Sequence, residues 1–167
     1  MSFDVSSVRR AASVAAAGCT AVAAVALAGT PAHAQVRPAS CTVVDIGQPG
    51  KIYVAGAYAG EVEQQYDNCH DVRSHFQWSS AFRSANPSAY VSLDADYGSG
   101  TAGSGGGYAY QAQDEYSSWA YIYTNGANTW RADAIVDGSA CGTGDAYGDY
   151  HDYATGAEFG SPTNASC

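Results

Sequence analysis

Apolar and polar residues alternate with period two through most of the chain between Cys41 and Val136. Successive side chains of a strand point to opposite faces, so this pattern predicts half-buried β-strands rather than helices. From Ile52 to Tyr66 the even positions include Ile52, Val54, Tyr58, Val62 and Tyr66, while Glu61, Glu63 and Gln65 occupy odd ones. Gly56 and Gly60 break the apolar series and predict a bend or bulge that divides the stretch into two strands. Between Val72 and Arg83, the residues Val72, Phe76, Trp78 and Phe82 share one face, and Arg73, His75, Gln77, Ser79 and Arg83 share the other. The next strand, Ser88 to Tyr97, turns Val91, Leu93, Ala95 and Tyr97 inward and Tyr90, Ser92, Asp94 and Asp96 outward. A hairpin through residues 84–87 keeps these faces matched and sets His75 opposite Asp96 and Gln77 opposite Asp94.

The strongest turn signal is Asn125-Gly126, since both residues accept the positive φ that a two-residue type I′ hairpin needs. It predicts a hairpin from Trp119 to Val136 whose buried face holds Trp119, Tyr121, Tyr123, Trp130, Ala132, Ala134 and Val136. Arg131, Asp133 and Asp137 then stay in water, which disfavours an exposed sugar-stacking use of the aromatic face. Residues 98–107 (GSGTAGSGGG) read as a flexible loop, Tyr108 to Tyr116 as a further strand, and nothing after Gly138 is periodic. The fold class this implies is all-β: a small, disulfide-stapled antiparallel β-sandwich with a long irregular C-terminal loop, a small β-barrel being the alternative.

Composition changes this picture at the two ends. Residues 1–34 carry Arg9-Arg10, an Ala/Val-rich run to Ala28 and the A-x-A triplet Ala32-His33-Ala34, the features of a secretory signal peptide. Residues 35–40 then form a flexible arm and residues 41–167 one sandwich domain. After cleavage five basic residues face fifteen acidic ones, a formal charge of -10. So acidic a chain repels phosphate, which argues against nucleic acid and anionic membrane surfaces as partners, and no membrane insertion of the mature chain is expected. The Ala- and Gly-rich usage fits an exported bacterial protein. Cys41, Cys69, Cys141 and Cys167 are an even set in an exported chain, so two disulfides are expected, with Cys41–Cys69 and Cys141–Cys167 favoured among the three pairings. Each would stabilise the fold by about 3–4 kcal/mol through loop closure.

Catalytic motifs are absent from the sequence: there is no G-x-S-x-G elbow, and no C-x-x-C or H-x-x-x-H pair with zinc spacing. No cofactor or metal is expected, because Asp145, Asp149 and Asp152 are not spaced as a calcium loop. Three arrangements could support a hydrolase: His75 with Asp96 orienting a serine nucleophile, the His-Asp pair in Cys69-His70-Asp71, and Glu61 with Glu63 as glycosidase-type carboxylates on one side of a strand. The C-terminal segment is the richest in contact chemistry: Tyr147, Tyr150 and Tyr153 alternate with Asp149, His151 and Asp152 among glycines, the composition of adaptable recognition loops. The expected function is a secreted, non-catalytic binding module that contacts a secreted or cell-surface protein, an adaptor, inhibitor or subunit of a secreted complex whose partner is basic. Its contacts are expected at Tyr147, Asp149, Tyr150, His151, Asp152 and Tyr153, and at His75 and Asp96 on the wet sheet face. A carbohydrate-binding module and a secreted hydrolase are the alternatives.

Overall fold

The structure is a computed structural model that describes residues 40–138 and 141–166. In chain order its elements are β1 (Val43–Val54), β2 (Ala57–Asp67), β3 (Asp71–Trp78), α1 (Ser80–Ala85), β4 (Tyr90–Asp96), β5 (Thr101–Tyr108), β6 (Asp114–Tyr116), β7 (Ala120–Tyr121), β8 (Thr129–Gly138), β9 (Cys141–Tyr147), β10 (Tyr150–Asp152), β11 (Ala157–Phe159) and β12 (Ala165–Ser166). The strands make two six-stranded sheets. One is ordered β12-β1-β2-β3-β6, with β7 also on β3; the other is ordered β11-β10-β8-β4-β5, with β9 also on β8. The pairs are antiparallel except β1 with β12. The expected all-β sandwich is therefore present, and the sheets do not close into a barrel.

The alternation read from the sequence decides what lies between the sheets. Ile52, Val62, Phe76 and Trp78 from the first sheet and Val91, Leu93, Ala132, Ala134 and Val136 from the second form the main core cluster, and a smaller one gathers Val72, Ala95, Ala120, Ile122 and Trp130. Ser74 is wholly buried at the crossing of the two central strands. Its hydroxyl donates to the Asp94 carbonyl at 2.5 Å and accepts the Asp133 N–H at 3.2 Å, so a β3 side chain enters the ladder between β4 and β8.

Four local expectations need correction. First, β3 and β4 do not form a hairpin. Ser79 caps the short helix α1, accepting the Phe82 N–H, and Phe82 stacks on Trp78 with centroids 5.8 Å apart. That turn of helix carries the chain into the opposite sheet, so His75 faces Glu63 and Tyr116 instead of Asp96, and Gln77 faces Glu61 and Asp114 instead of Asp94.

Second, Asn125 and Gly126 do take positive φ (55° and 74°), and the Ala127 N–H bonds the Thr124 carbonyl at 3.0 Å. The turn forms, but its flanks diverge, β7 joining β3 and β8 joining β4. Buried Trp130 donates its indole N–H to the Ile122 carbonyl at 2.8 Å, which draws Ile122 inward as the segment crosses between sheets. Burial in the first arm is thereby inverted: Ala120 and Ile122 are inside, while Tyr121 and Tyr123 are 52% and 47% exposed.

Third, residues 98–107 are not a free loop, because most of them belong to β5. Its glycines let β5 lie against the other sheet, where Gly105 bridges Ser117; a Cβ at Gly105 would sit 2.4 Å from the Tyr116 carbonyl oxygen. Fourth, the C-terminal segment is short strands rather than one irregular loop. β9 and β10 extend the second sheet through β8, and β12 returns to β1.

The Cys41–Cys69 disulfide is present and ties the chain before β1 to the turn between β2 and β3. In that turn fully buried Asp67 accepts the N–H groups of Cys69 and Asp71 at 3.0 and 2.9 Å. The Cys141–Cys167 pairing, residues 1–34 and all of the arm except Ser40 lie outside the described residues. Among the described residues no helix is long and apolar enough to cross a membrane.

Two expected outcomes follow from this packing. Replacing Cys41 and Cys69 together by Ser opens a bridge of sequence separation 28 and lowers unfolding free energy by about 3.5 kcal/mol in a denaturant titration. Gly105→Ala forces a methyl group into a backbone carbonyl and costs about 1–3 kcal/mol, whereas Gly56→Ala meets no atom and is limited to its own backbone strain.

Candidate functional site

The outward pleat of the second sheet brings charged and aromatic side chains from five strands onto one surface. Arg131 on β8 is held by Asp96 on β4, with its Nη2 2.7 Å and its Nε 2.8 Å from Oδ2. Its guanidinium carbon lies 3.7 Å from the Tyr147 ring centroid on β9 and 4.7 Å from that of Tyr150 on β10. Tyr150 in turn stacks on Phe159 of β11, with centroids 5.4 Å apart and planes 12° from parallel, and Phe159 is 48% exposed. A carboxylate, a cation and three rings therefore form one continuous row. The ion pair fixes the guanidinium so that its flat face meets the rings, the geometry in which Arg gains most from an aromatic neighbour.

Beside this row lies a group of acids. Asp94 and Asp133 are direct cross-strand partners, Asp133 opposes Tyr147, and Asp145 is two residues from Tyr147 on the same face. Burial is the first cause that pushes the Asp133 carboxyl far above the ordinary aspartate range; a hydrogen bond with Asp145 and the charges of Asp145, Asp94 and Asp96 add to it. Burial and the hydrogen bond that its hydroxyl donates to Asp145 likewise raise Tyr147. Asp94 is engaged from another side by the Ser104 hydroxyl. Crowded carboxyls out of water cannot all ionise, so Asp133 holds its proton above the ordinary aspartate range.

The first sheet carries a separate network on its outer face. His75 on β3 is nearly buried, its Nδ1 3.0 Å from Glu63 Oε1 on β2 and its Nε2 3.0 Å from Asp114 Oδ1 on β6. The imidazole stacks on Tyr116 at 4.8 Å and 11°, and the guanidinium of Arg73 lies over both Tyr116 and Trp119, at 3.9 and 4.3 Å. Burial alone would lower the His75 pKa, but the hydrogen bonds and charges of Glu63 and Asp114 outweigh it, so the net shift is upward. Asp114 moves the other way: burial raises it, and bonds to Gln77 and His75 bring it below its ordinary value.

The residues expected at the site are thus divided. Tyr147, Tyr150 and Asp96 come together around Arg131. Asp149 is instead a buried clamp whose Oδ1 accepts the Gln48 N–H at 2.7 Å, holding the bulge of β1 against the β9–β10 turn. Asp152 closes its own turn by accepting the Ala154 N–H at 2.8 Å. His151 opposes Trp130 across β8–β10 and packs its ring on Tyr153 at 4.5 Å. The Tyr153 hydroxyl accepts from Gln64 at 2.6 Å at the margin of the smaller core cluster. His75 lies on the opposite sheet from Asp96, which removes that pair as the basis of a hydrolase. Arg131, Phe159, Glu63 and Asp114 were not singled out as binding contacts in the sequence. Pairing β2 with β3 across the short turn at residues 68–70 is the signal that sets Glu63 opposite His75.

Two pH responses are expected. The folded protein keeps on Asp133 a proton that the unfolded chain releases near pH 4, so stability falls as the pH rises from there toward the folded value of about 8. Asp133→Asn, measured by urea unfolding at pH 4 and pH 8, should reduce that fall by at least about 1 kcal/mol. His75 contributes stability that is fully present below its unfolded value and is lost as the pH rises through its higher folded value. His75→Gln removes that component, read as a flatter stability profile above about pH 6.5.

Compared with protein-family models, curated proteins and solved structures, the chain matches none, so a function for it rests on these two surfaces.

Proposed function

We propose that this chain is a secreted, non-catalytic binding module that engages a basic protein partner through the outer face of its second sheet. The observation that carries the reading is the row Asp96–Arg131–Tyr147–Tyr150–Phe159, a half-open patch of ordered aromatic rings around a fixed guanidinium. Tyr, Phe and Arg are the residues enriched at protein interfaces and at their energetic centres, because rigid rings bury much area with little loss of rotamer freedom. The patch is already assembled in the free chain, which lowers the ordering cost of association. The acidic groups beside it, Asp94 and Asp145, supply a negative field that favours a basic partner and speeds its approach at low salt. The disulfide and the leader-like residues 1–34 agree with an extracellular setting.

A glycan is the second reading, favoured by a different place. Tyr108 and Tyr110 stack at 5.5 Å and 21°, Tyr110 is 63% exposed, and a shallow cleft of about 300 Å³ beside it is lined by Ser80, Arg83, Ser84 and Ala109. Exposed rings next to hydroxyl and guanidinium donors suit a sugar face and its hydroxyl groups.

Recovery of partners from culture supernatant on immobilised protein distinguishes the two. Arg131→Ala and Tyr150→Ala should each weaken capture of a stoichiometric protein partner by about 30-fold, the effect of losing roughly 2 kcal/mol at an interface centre. Tyr110→Ala should leave it unchanged. Equal capture by all three variants would remove the patch from consideration, and loss with Tyr110→Ala alone would move the contact to the cleft.

A further inference from the structure

We propose that the outer face of the first sheet holds a site for a divalent first-row transition ion of the zinc type, ligated by Asp45 on β1, Glu63 on β2 and Nδ1 of His75 on β3. One oxygen from each carboxylate and the imidazole nitrogen all lie within 4.8 Å of one another, although the residues are 30 positions apart at the extremes. Ligands about 2.0–2.2 Å from a common ion stand about 3.0–3.6 Å from each other. Nδ1 of His75 and Oε1 of Glu63 are already 3.0 Å apart.

The imidazole is built as a metal ligand is usually built. Its far nitrogen, Nε2, is bonded to Asp114 at 3.0 Å, so Asp114 keeps the Nε2 proton when Nδ1, on the side of Glu63 and Asp45, gives up its own to an ion. Stacking on Tyr116 holds the ring plane, and the residue is 7% exposed. Asp45 is positioned by Gln65, whose amide nitrogen donates to Oδ1 at 2.8 Å and lies 3.4 Å from His75 Nδ1, so this amide moves aside when an ion joins the two, while its oxygen is held by Arg73 Nε at 2.8 Å. Asp45 is also exposed, so the ion has an approach from solvent, and water can complete its coordination on that side.

The charge balance follows. In the free protein both ring nitrogens face carboxylates, which favours the doubly protonated imidazolium. The ion takes the place of the Nδ1 proton: one bond forms between metal and nitrogen, and the N–H proton leaves to solvent. Asp114 keeps the proton on Nε2. The charged groups that face the imidazole are Glu63, Asp114 and Asp45, with Arg73 beyond Gln65, and this excess of negative charge accommodates a dication. One imidazole with two carboxylates suits zinc or its neighbours, whereas calcium prefers an all-oxygen cage. Such an ion would cross-link β1, β2 and β3 on the side of the sheet away from the core.

The test is calorimetric titration of the untagged protein with zinc chloride after treatment with a chelator, at pH 6 and pH 7.5 and in buffers of different ionisation heat. One equivalent should bind with release of a proton, more weakly at pH 6, and calcium at the same concentration should not compete. Glu63→Gln and Asp45→Asn should abolish binding, and Asp114→Asn should weaken it by about 10–100-fold because it acts only through the ring. Asp45 is exposed, so its variant keeps the fold, which a native tryptophan emission spectrum verifies. No heat from zinc, or equal binding by wild type and the Asp45 and Glu63 variants, would overturn the proposal and assign any uptake to His70 or His151.

Discussion

Each sheet can bury only one side of its pleat, and the two central strands decide which side. On β3 the even positions Val72, Ser74, Phe76 and Trp78 are inside; on β8 the even positions Trp130, Ala132, Ala134 and Val136 are inside. The Ser74 hydroxyl joins the two strands directly by bridging the Asp94 carbonyl and the Asp133 N–H. That contact makes the register of one sheet depend on the other. A slip of one residue in either strand would bury Arg73 or Arg131 in an apolar layer, at a cost far above the stability of a small domain.

Everything displayed to solvent follows from this choice. The residues excluded from the layer, His75 and Arg73 on one side and Arg131 and Asp133 on the other, become the centres of two polar networks. Between residues 40 and 166 the basic residues are Lys51, Arg73, Arg83 and Arg131. Two of these four lie over pairs of aromatic rings, which holds their position while their charge balances neighbouring acids. An acidic sandwich thus keeps its scarce cations in fixed places, where they can order a surface and not only offset net charge.

Close contact at the margins of the sheets occurs where glycines leave room for a neighbouring backbone or side chain. At one margin β5 approaches residues 115–118 through Gly103, Gly105 and Gly107, and at the other the bulge of β1 meets Asp149 and the Tyr147 backbone at Gly47 and Gly50. Asp149 shows how a residue with the composition of a recognition loop serves the fold: its buried carboxylate accepts the Gln48 N–H that the bulge of β1 takes out of the β1–β2 ladder.

The sequence by itself determined the all-β class, the presence of disulfides with Cys41–Cys69 a favoured pairing, the inward sets of β3, β4 and β8, and the positive φ of Asn125 and Gly126, because these depend on period two, on cysteine parity and on local backbone sterics. Only the tertiary structure decided which strands are neighbours. A turn signal such as Asn-Gly fixes the direction of a few peptide bonds but does not say whether the flanking strands pair with each other or leave for opposite sheets; at Tyr121 and Ile122 the burial of Trp130 settled that. The same limit hid both surfaces. His75 gained Glu63 across the short β2–β3 turn and Asp114 from the distant β6, and Arg131 gained Tyr147 and Tyr150 from β9 and β10, and side-chain alternation along one strand carries no information about its neighbour.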